Sequence, residues 1–211
     1  AAMLFSYAAF FSYAYRDLSA ATGALLLFGA VQMTMTGYGL FRGERLGGLK
    51  LVGVLVALAG LVALLLPGLA APPLLGAAFM ILAGASWGVY SLLGKNLGEP
   101  TIATAGNFLR AVPFAAALAL AGSHGTSGVD MTGALYAVLS GAITSGLGYA
   151  LWYAALPALT ATSAATVQLS VPAIAALGGV LLLAEPITMR LLLASATILG
   201  GIALTIARPK A

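Results

Sequence analysis

The sequence has no cysteine, a single histidine and very little charge, with nine Lys or Arg and five Asp or Glu among 211 residues. Without cysteine there are no disulfides, thiolate nucleophiles or Cys-based metal sites. One histidine (His124) and a handful of carboxylates, mostly in loops, make no metal-ligand set to expect. No HExxH occurs, and no glycine-rich phosphate loop ending in Lys-Ser/Thr, so zincin chemistry and direct use of ATP fall away. The scarcity of charge matters most. Charged residues are 7% of the chain, against about 25% in ordinary soluble domains. A chain this poor in charge cannot cover a water-facing surface. What it has instead is apolar residues, 62% of the total, with a mean hydropathy of +1.07. The fold class expected is an all-α polytopic membrane protein, because lipid-exposed backbone must satisfy its own hydrogen bonds. The net charge of +4 is then a matter of membrane orientation and gives no sign of a nucleic-acid partner. The partners expected are the bilayer and a small-molecule substrate, with no cofactor and no metal.

Eight helical spans are predicted, over about 1–15, 19–41, 50–66, 73–93, 101–121, 132–155, 159–183 and 189–207. Charge or Pro/Gly marks the loops between them, among them Arg16-Asp17, Arg42 to Lys50, Lys95 to Pro100 and Glu185 to Arg190. One side collects Arg42, Arg45, Lys50, Lys95, Arg208 and Lys210, the other only Arg16 and Arg190. The positive-inside rule places the first side, and the C-terminus, in the cytoplasm of a multi-pass protein of the cell (inner) membrane.

The chain also repeats itself. Shifted by 141 positions, Glu44 falls on Glu185, Gly37 on Gly178 and Gly60 on Gly201, while nothing earlier matches 72–141. Residues 1–70 read as the back half of one repeat, with three spans, and 71–211 as a complete second repeat of five. Five is odd, so the two copies enter the membrane from opposite sides and form an inverted-repeat bundle. Ala1 opens inside an apolar stretch, and the first span is short. The expected parent has ten spans (5+5), with roughly 70 further residues upstream.

Local signatures carry a family resemblance. They are Trp87-Gly88-Val89-Tyr90-Ser91, Gly148 to Leu156, Pro172 followed by Ala173–Leu183 and Glu185-Pro186, and Ile198-Leu199-Gly200-Gly201-Ile202. In this order and spacing, and with the duplication, the chain resembles EamA-type members of the drug/metabolite transporter superfamily, lacking the N-terminal part. The resemblance implies a secondary transporter or permease for small metabolites, amino acids or drugs, with export the expected direction, and not an enzyme. An intramembrane enzyme and a non-transporting assembly or sensor subunit are the alternatives, and a homodimer is compatible with the pattern.

Several residues are candidates for the substrate pathway. Arg110 lies about nine residues into its span, roughly 13 Å deep, where a charge costs a few kcal/mol unless paired or hydrated. Asn107 sits one turn before it, and the pair could hold an anionic or zwitterionic group; snorkelling of Arg110 to the headgroups is the bland alternative. Pro113 and Pro172 are expected helix kinks. Pro172 leaves the carbonyl of Gln168 free beside the Gln168 amide, the makings of a broken-helix site. In the first repeat Val31 stands where Pro172 stands in the second. Gln32, with Thr36 at i+4, gives a polar stripe. Trp87, Tyr90, Tyr149 and Tyr7 are the aromatic candidates to line a pathway, the three tyrosines foremost, while Trp152 and Tyr153, near a span end, are expected as interface anchors. Glu44 and Glu185 fall at membrane edges and are expected to cap helices. The small-residue runs Gly53/Ala57/Gly60, Gly141/Ser145 and Gly200-Gly201 are expected to let helices approach closely.

Overall fold

A computed structural model describes residues 1–18, 20–65, 72–95, 99–122, 130–174, 181 and 187–206. These form helices and, among the described residues, no strand. In chain order they are α1 (Ala2–Ala14), α2 (Ala20–Phe41), α3 (Gly48–Leu65), α4 (Leu74–Gly94), α5 (Pro100–Gly122), α6 (Met131–Val138), a π-helical stretch (Leu139–Ser145), α7 (Gly146–Ala155), a 3₁₀ turn (Leu156–Ala158), α8 (Ala161–Gln168) and α9 (Met189–Ile206). Five stretches among the described residues are long and apolar enough to cross a membrane: Thr22–Phe41, Leu74–Gly94, Ile102–Ala121, Met131–Ala158 and Met189–Ile206. Ala2–Ala14 and Gly48–Leu64 are apolar but shorter. Of the span expected over 159–183, residues 159–174 and 181 are described; Glu185, Pro186 and His124 lie outside the described residues.

Helix ends follow local chemistry. Asp130 caps α6, its carboxylate accepting from the backbone N–H of Thr132 (3.3 Å) and of Gly133 (2.9 Å). Asp130→Ala is expected to cost about 1 kcal/mol, read as a lowered unfolding temperature in detergent that Asp130→Ser largely restores. An unchanged temperature in the alanine variant would show the cap to be idle. Thr160 caps α8 through Ser163 N (3.2 Å). α8 stops at Gln168, and helix resumes over 170–174. Pro172 supplies the reason, since it cannot donate to the Gln168 carbonyl. Its repeat counterpart, Val31, lies inside the unbroken α2. α5 runs through Pro113 as one helix. The π-helical stretch was not legible from hydropathy. Within it Thr144 Oγ1 donates to the carbonyls of Ser140 (3.0 Å) and Leu139 (3.3 Å), a side-chain bond that competes with the ordinary ladder.

Three packed layers of contact hold the bundle. α1 and α2 lie against α4, α2 crosses α8, and α3 runs along α9. One cluster joins Leu4, Val31, Met35, Tyr90, Tyr153, Leu156, Ala164 and Ala165; a second joins Ala14, Leu18, Leu27, Met80 and Ala83; a third joins Ala57, Leu61, Leu169, Ala173 and Ile198. By contrast Leu135, Tyr136, Val138, Ile143, Leu147 and Leu151, along α6 to α7, are all exposed, as are Ile102, Leu109 and Val112 on α5. Such a surface is compatible with lipid or further helices around it, and not with water.

Candidate functional site

The site grows out of α4. One face of this helix carries Trp87 and Tyr90, one turn apart, into the space between α1, α5 and α7. Rings from three other helices gather on them. Tyr7 of α1 lies 5.3 Å from Trp87, centroid to centroid, and Tyr149 of α7 lies 5.0 Å from Trp87 and 6.1 Å from Tyr90. Phe108 of α5 stacks on Tyr149 at 5.5 Å, and Tyr153 meets Tyr90 edge-on at 5.7 Å. Offset and edge contacts of this kind stabilise each pair by about 0.5–1.5 kcal/mol beyond burial.

Amides bound the cluster on two sides. On the α8 side, Trp87 Nε1 donates to Gln168 Oε1, and Gln168 Nε2 donates to Met35 Sδ (3.4 Å). Gln32 lies nearby on α2, its Nε2 donating to Thr36 Oγ1 (3.0 Å) and to Thr166 Oγ1 (3.3 Å). The stripe expected from i, i+4 spacing therefore forms, and it also reaches across to α8. Gln32 is 3% exposed, yet its Oε1 has no hydrogen-bond partner. A buried, unpaired amide oxygen is costly and needs a water or a ligand group. On the α5 side, Asn107 Nδ2 donates to the Tyr90 hydroxyl (3.4 Å).

Between these elements lies a cavity of about 420 Å³, lined by Ala1, Ala2, Met3, Tyr90, Leu93, Gly94, Thr104, Asn107 and Tyr153. Its side-chain polar groups are an amide and hydroxyls; no ionised side chain lines it. Chemically it can stack flat apolar groups and exchange hydrogen bonds with a neutral or ammonium-bearing solute. No three His, Cys, Asp or Glu come together among the described residues to hold a metal.

The sequence-predicted residues therefore divide. Tyr7, Tyr90, Tyr149, Asn107 and Gln168 belong to one cluster, with Gln32 on the turn beside it. Arg110 does not line the cavity. It is exposed on α5, with its Nη1 folded back over Gly106, 2.9 Å from where a β-carbon there would stand. Trp152 and Tyr153 depart from the expected interface anchoring. Tyr153 is 2% exposed and its hydroxyl donates to the Tyr90 carbonyl (3.0 Å), while Trp152 Nε1 donates to Ser91 Oγ (3.2 Å). Both tie α7 to α4, because the face that carries them turns inward. Thr104, Phe108 and Met35 were missed. Thr104 and Phe108 precede Asn107 by three residues and follow it by one, and only the α5 periodicity anchored on Asn107 could have flagged Thr104. The sequence also contains the run Gly84-Ala85-Ser86-Trp87-Gly88. It has the spacing of a nucleophile elbow, but it lies inside α4 and not at a strand-to-helix turn, so it does not present Ser86 as a nucleophile.

The pattern of the EamA-like transporter family matches residues 74–207. An uncharacterized protein of Pseudomonas aeruginosa is 61% identical over 207 residues, covering 98% of this chain and 72% of its own length. An uncharacterized transporter of Archaeoglobus fulgidus is 28% identical over 167 residues, 77% of this chain and 59% of its own. A protein crystal structure superposes on 96% of this chain and 72% of its own with a TM-score of 0.80; at 23% identity this is a likeness of fold. With that pattern spread over apolar helices long enough to cross a bilayer, this multi-pass membrane protein belongs to the EamA-like transporter family.

Proposed function

We propose that the protein is a secondary transporter that carries a small organic solute by alternating access, binding it against the aromatic–amide cluster of Tyr7, Trp87, Tyr90, Asn107, Tyr149 and Gln168. The observation that carries this reading is the 420 Å³ cavity beside that cluster, apolar in its walls and furnished with an amide and hydroxyls. Membership of a transporter family supports it. An inverted five-plus-five bundle split near residue 70 would place eight of its spans in this chain, and the Lys/Arg bias fits a cytoplasmic C-terminus in the inner membrane. Solutes with an aromatic or aliphatic body and a neutral or ammonium group suit the lining better than anions, because no cationic side chain lines it. No phosphate loop is present in the sequence, so the driving force falls to solute or ion gradients.

The test is flux. Purified full-length protein in proteoliposomes should exchange at least one labelled member of a panel of amino acids, organic amines and aromatic metabolites, at a rate well above protein-free vesicles. Protein-independent rates for the whole panel, with protein shown to be folded and inserted, would sink the proposal.

A further inference from the structure

The loop after α2 reaches across the bundle. Glu44 Oε2 accepts from the backbone N–H of Thr162, in the first turn of α8 (3.3 Å), and Lys50 Nζ stands 3.9 Å from Glu44 Oε1. α8 does not need this carboxylate for its own termination, since Thr160 already caps it through Ser163 N. The contact is therefore one between segments: it fastens the first sequence repeat to the second. Gly39 makes room for it. A β-carbon at that position would stand 2.5 Å from Glu44 Oε2 and 3.3 Å from the β-carbon of Ala161. The neighbouring turn is fastened from another side, where Lys95 Nζ, at the end of α4, donates to the Leu159 carbonyl. The 3₁₀ turn and the start of α8 are thus gripped by Glu44 and Lys95 together. Immediately beyond the turn, Ala161 to Thr166 are buried, and they lie over the wall of the cavity cluster.

The repeat makes this device one-sided. Shifted by 141 positions, Glu44 finds Glu185, but Gly39 finds Val180 and Lys50 finds Leu191. The carboxylate is duplicated in the sequence; the glycine that admits it and the lysine that holds it are not.

We infer that the turn at 156–160 is the gate at this end of the bundle and that Glu44 and Lys95 are its latch, closed in this structure and released when this end opens. The inference rests on the alternating-access reading above. A helix N-terminus attracts an anion weakly when exposed and more strongly when partly buried. A latch of this kind holds a closed state yet yields to the free energy of solute binding.

Two measurements test it, and these 211 residues contain no cysteine of their own to react. In the first, Ala164→Cys, buried under the turn (0% exposed), is labelled with a small methanethiosulfonate reagent in proteoliposomes. Labelling should be slow with the latch intact and at least about tenfold faster with Glu44→Gln or Lys95→Met added, at an unfolding temperature within a few degrees of the parent. Unchanged labelling in both folded variants overturns the latch, and so does a rise that only follows loss of fold. In the second, Gly39→Cys is paired with Ala161→Cys. The 3.3 Å β-carbon separation is just below the range that disulfides adopt, and the Glu44 carboxylate is flexible enough to move aside. The oxidised pair should stop solute exchange and dithiothreitol should restore it. Equal flux in both redox states overturns the gate. Absence of flux even in the reduced parent overturns the transporter reading instead, and leaves the labelling result to decide the latch.

Discussion

Gly201→Val should leave little folded protein in detergent, the largest stability effect expected in this chain. A β-carbon at Gly201 would stand 2.5 Å from the backbone nitrogen of Ala57 and 2.6 Å from the carbonyl oxygen of Gly53. Gly53 faces the same approach from the other side, 2.7 Å from Gly201 O and from Thr205 N. These are backbone atoms of α3 and α9 and cannot rotate away, so the helices must separate. Separation loosens the third cluster, where Ala57, Leu61 and Ile198 are fully buried. Overpacking typically costs 1–3 kcal/mol, occasionally more. With backbone on both sides the cost should reach about 3 kcal/mol, a fall on the order of 10 °C in unfolding temperature for a chain of this size. Gly200→Ala is the control. It has open space around it and should change stability by no more than about 0.5 kcal/mol. Equal unfolding temperatures for Gly201→Val and Gly200→Ala would refute the close approach.

The Gly200-Gly201 pair shows what a sequence can and cannot say. Small residues in an apolar helix announce close packing, because nothing else in lipid rewards them. They do not say which of two adjacent glycines meets the neighbour. The same division runs through the rest of the fold. Span positions follow from hydropathy, and apart from the span expected over 159–183, which breaks at Gln168 and is described only in part, the helical bounds fall within a few residues of those expected. The π-helical stretch does not follow, because it depends on where Thr144 finds carbonyls and not on how apolar the stretch is. Gln32 and Thr36 were legible as a stripe from spacing alone, but their reach to Thr166 needed the α2–α8 crossing. Arg110 drew attention by its charge. Its direction depends on packing around α5, and charge carries no information about direction. Tyr153 was misread for a related reason. A tyrosine near a span end is equally suited to a headgroup or to a neighbouring backbone carbonyl, and only the rotation of α7 chooses between them.

Asn107 should matter most for transport. Asn107→Leu keeps the volume and removes both hydrogen-bonding atoms from the cavity wall. Its bond to the Tyr90 hydroxyl is long, 3.4 Å, so losing it should cost the fold less than about 1 kcal/mol. The loss to a bound solute is larger. Where a solute offers an ammonium to the amide oxygen, a hydrogen bond to a charged partner contributes about 1.5–3 kcal/mol. Removing it should weaken apparent affinity on the order of 10- to 150-fold, seen as a raised KM for exchange in proteoliposomes with the unfolding temperature nearly unchanged. Asn107→Asp makes the complementary case, since a carboxylate in the same place should favour ammonium-bearing solutes over neutral ones of the same shape. Arg110→Ala completes the comparison. Because its guanidinium lies over Gly106 and outside the lining, its removal should change KM by less than about threefold, roughly half of the 1.4 kcal/mol that a tenfold change represents. If Arg110→Ala raises KM more than Asn107→Leu does, the solute is held by charge at the edge of α5, and the amide–aromatic wall is scaffold.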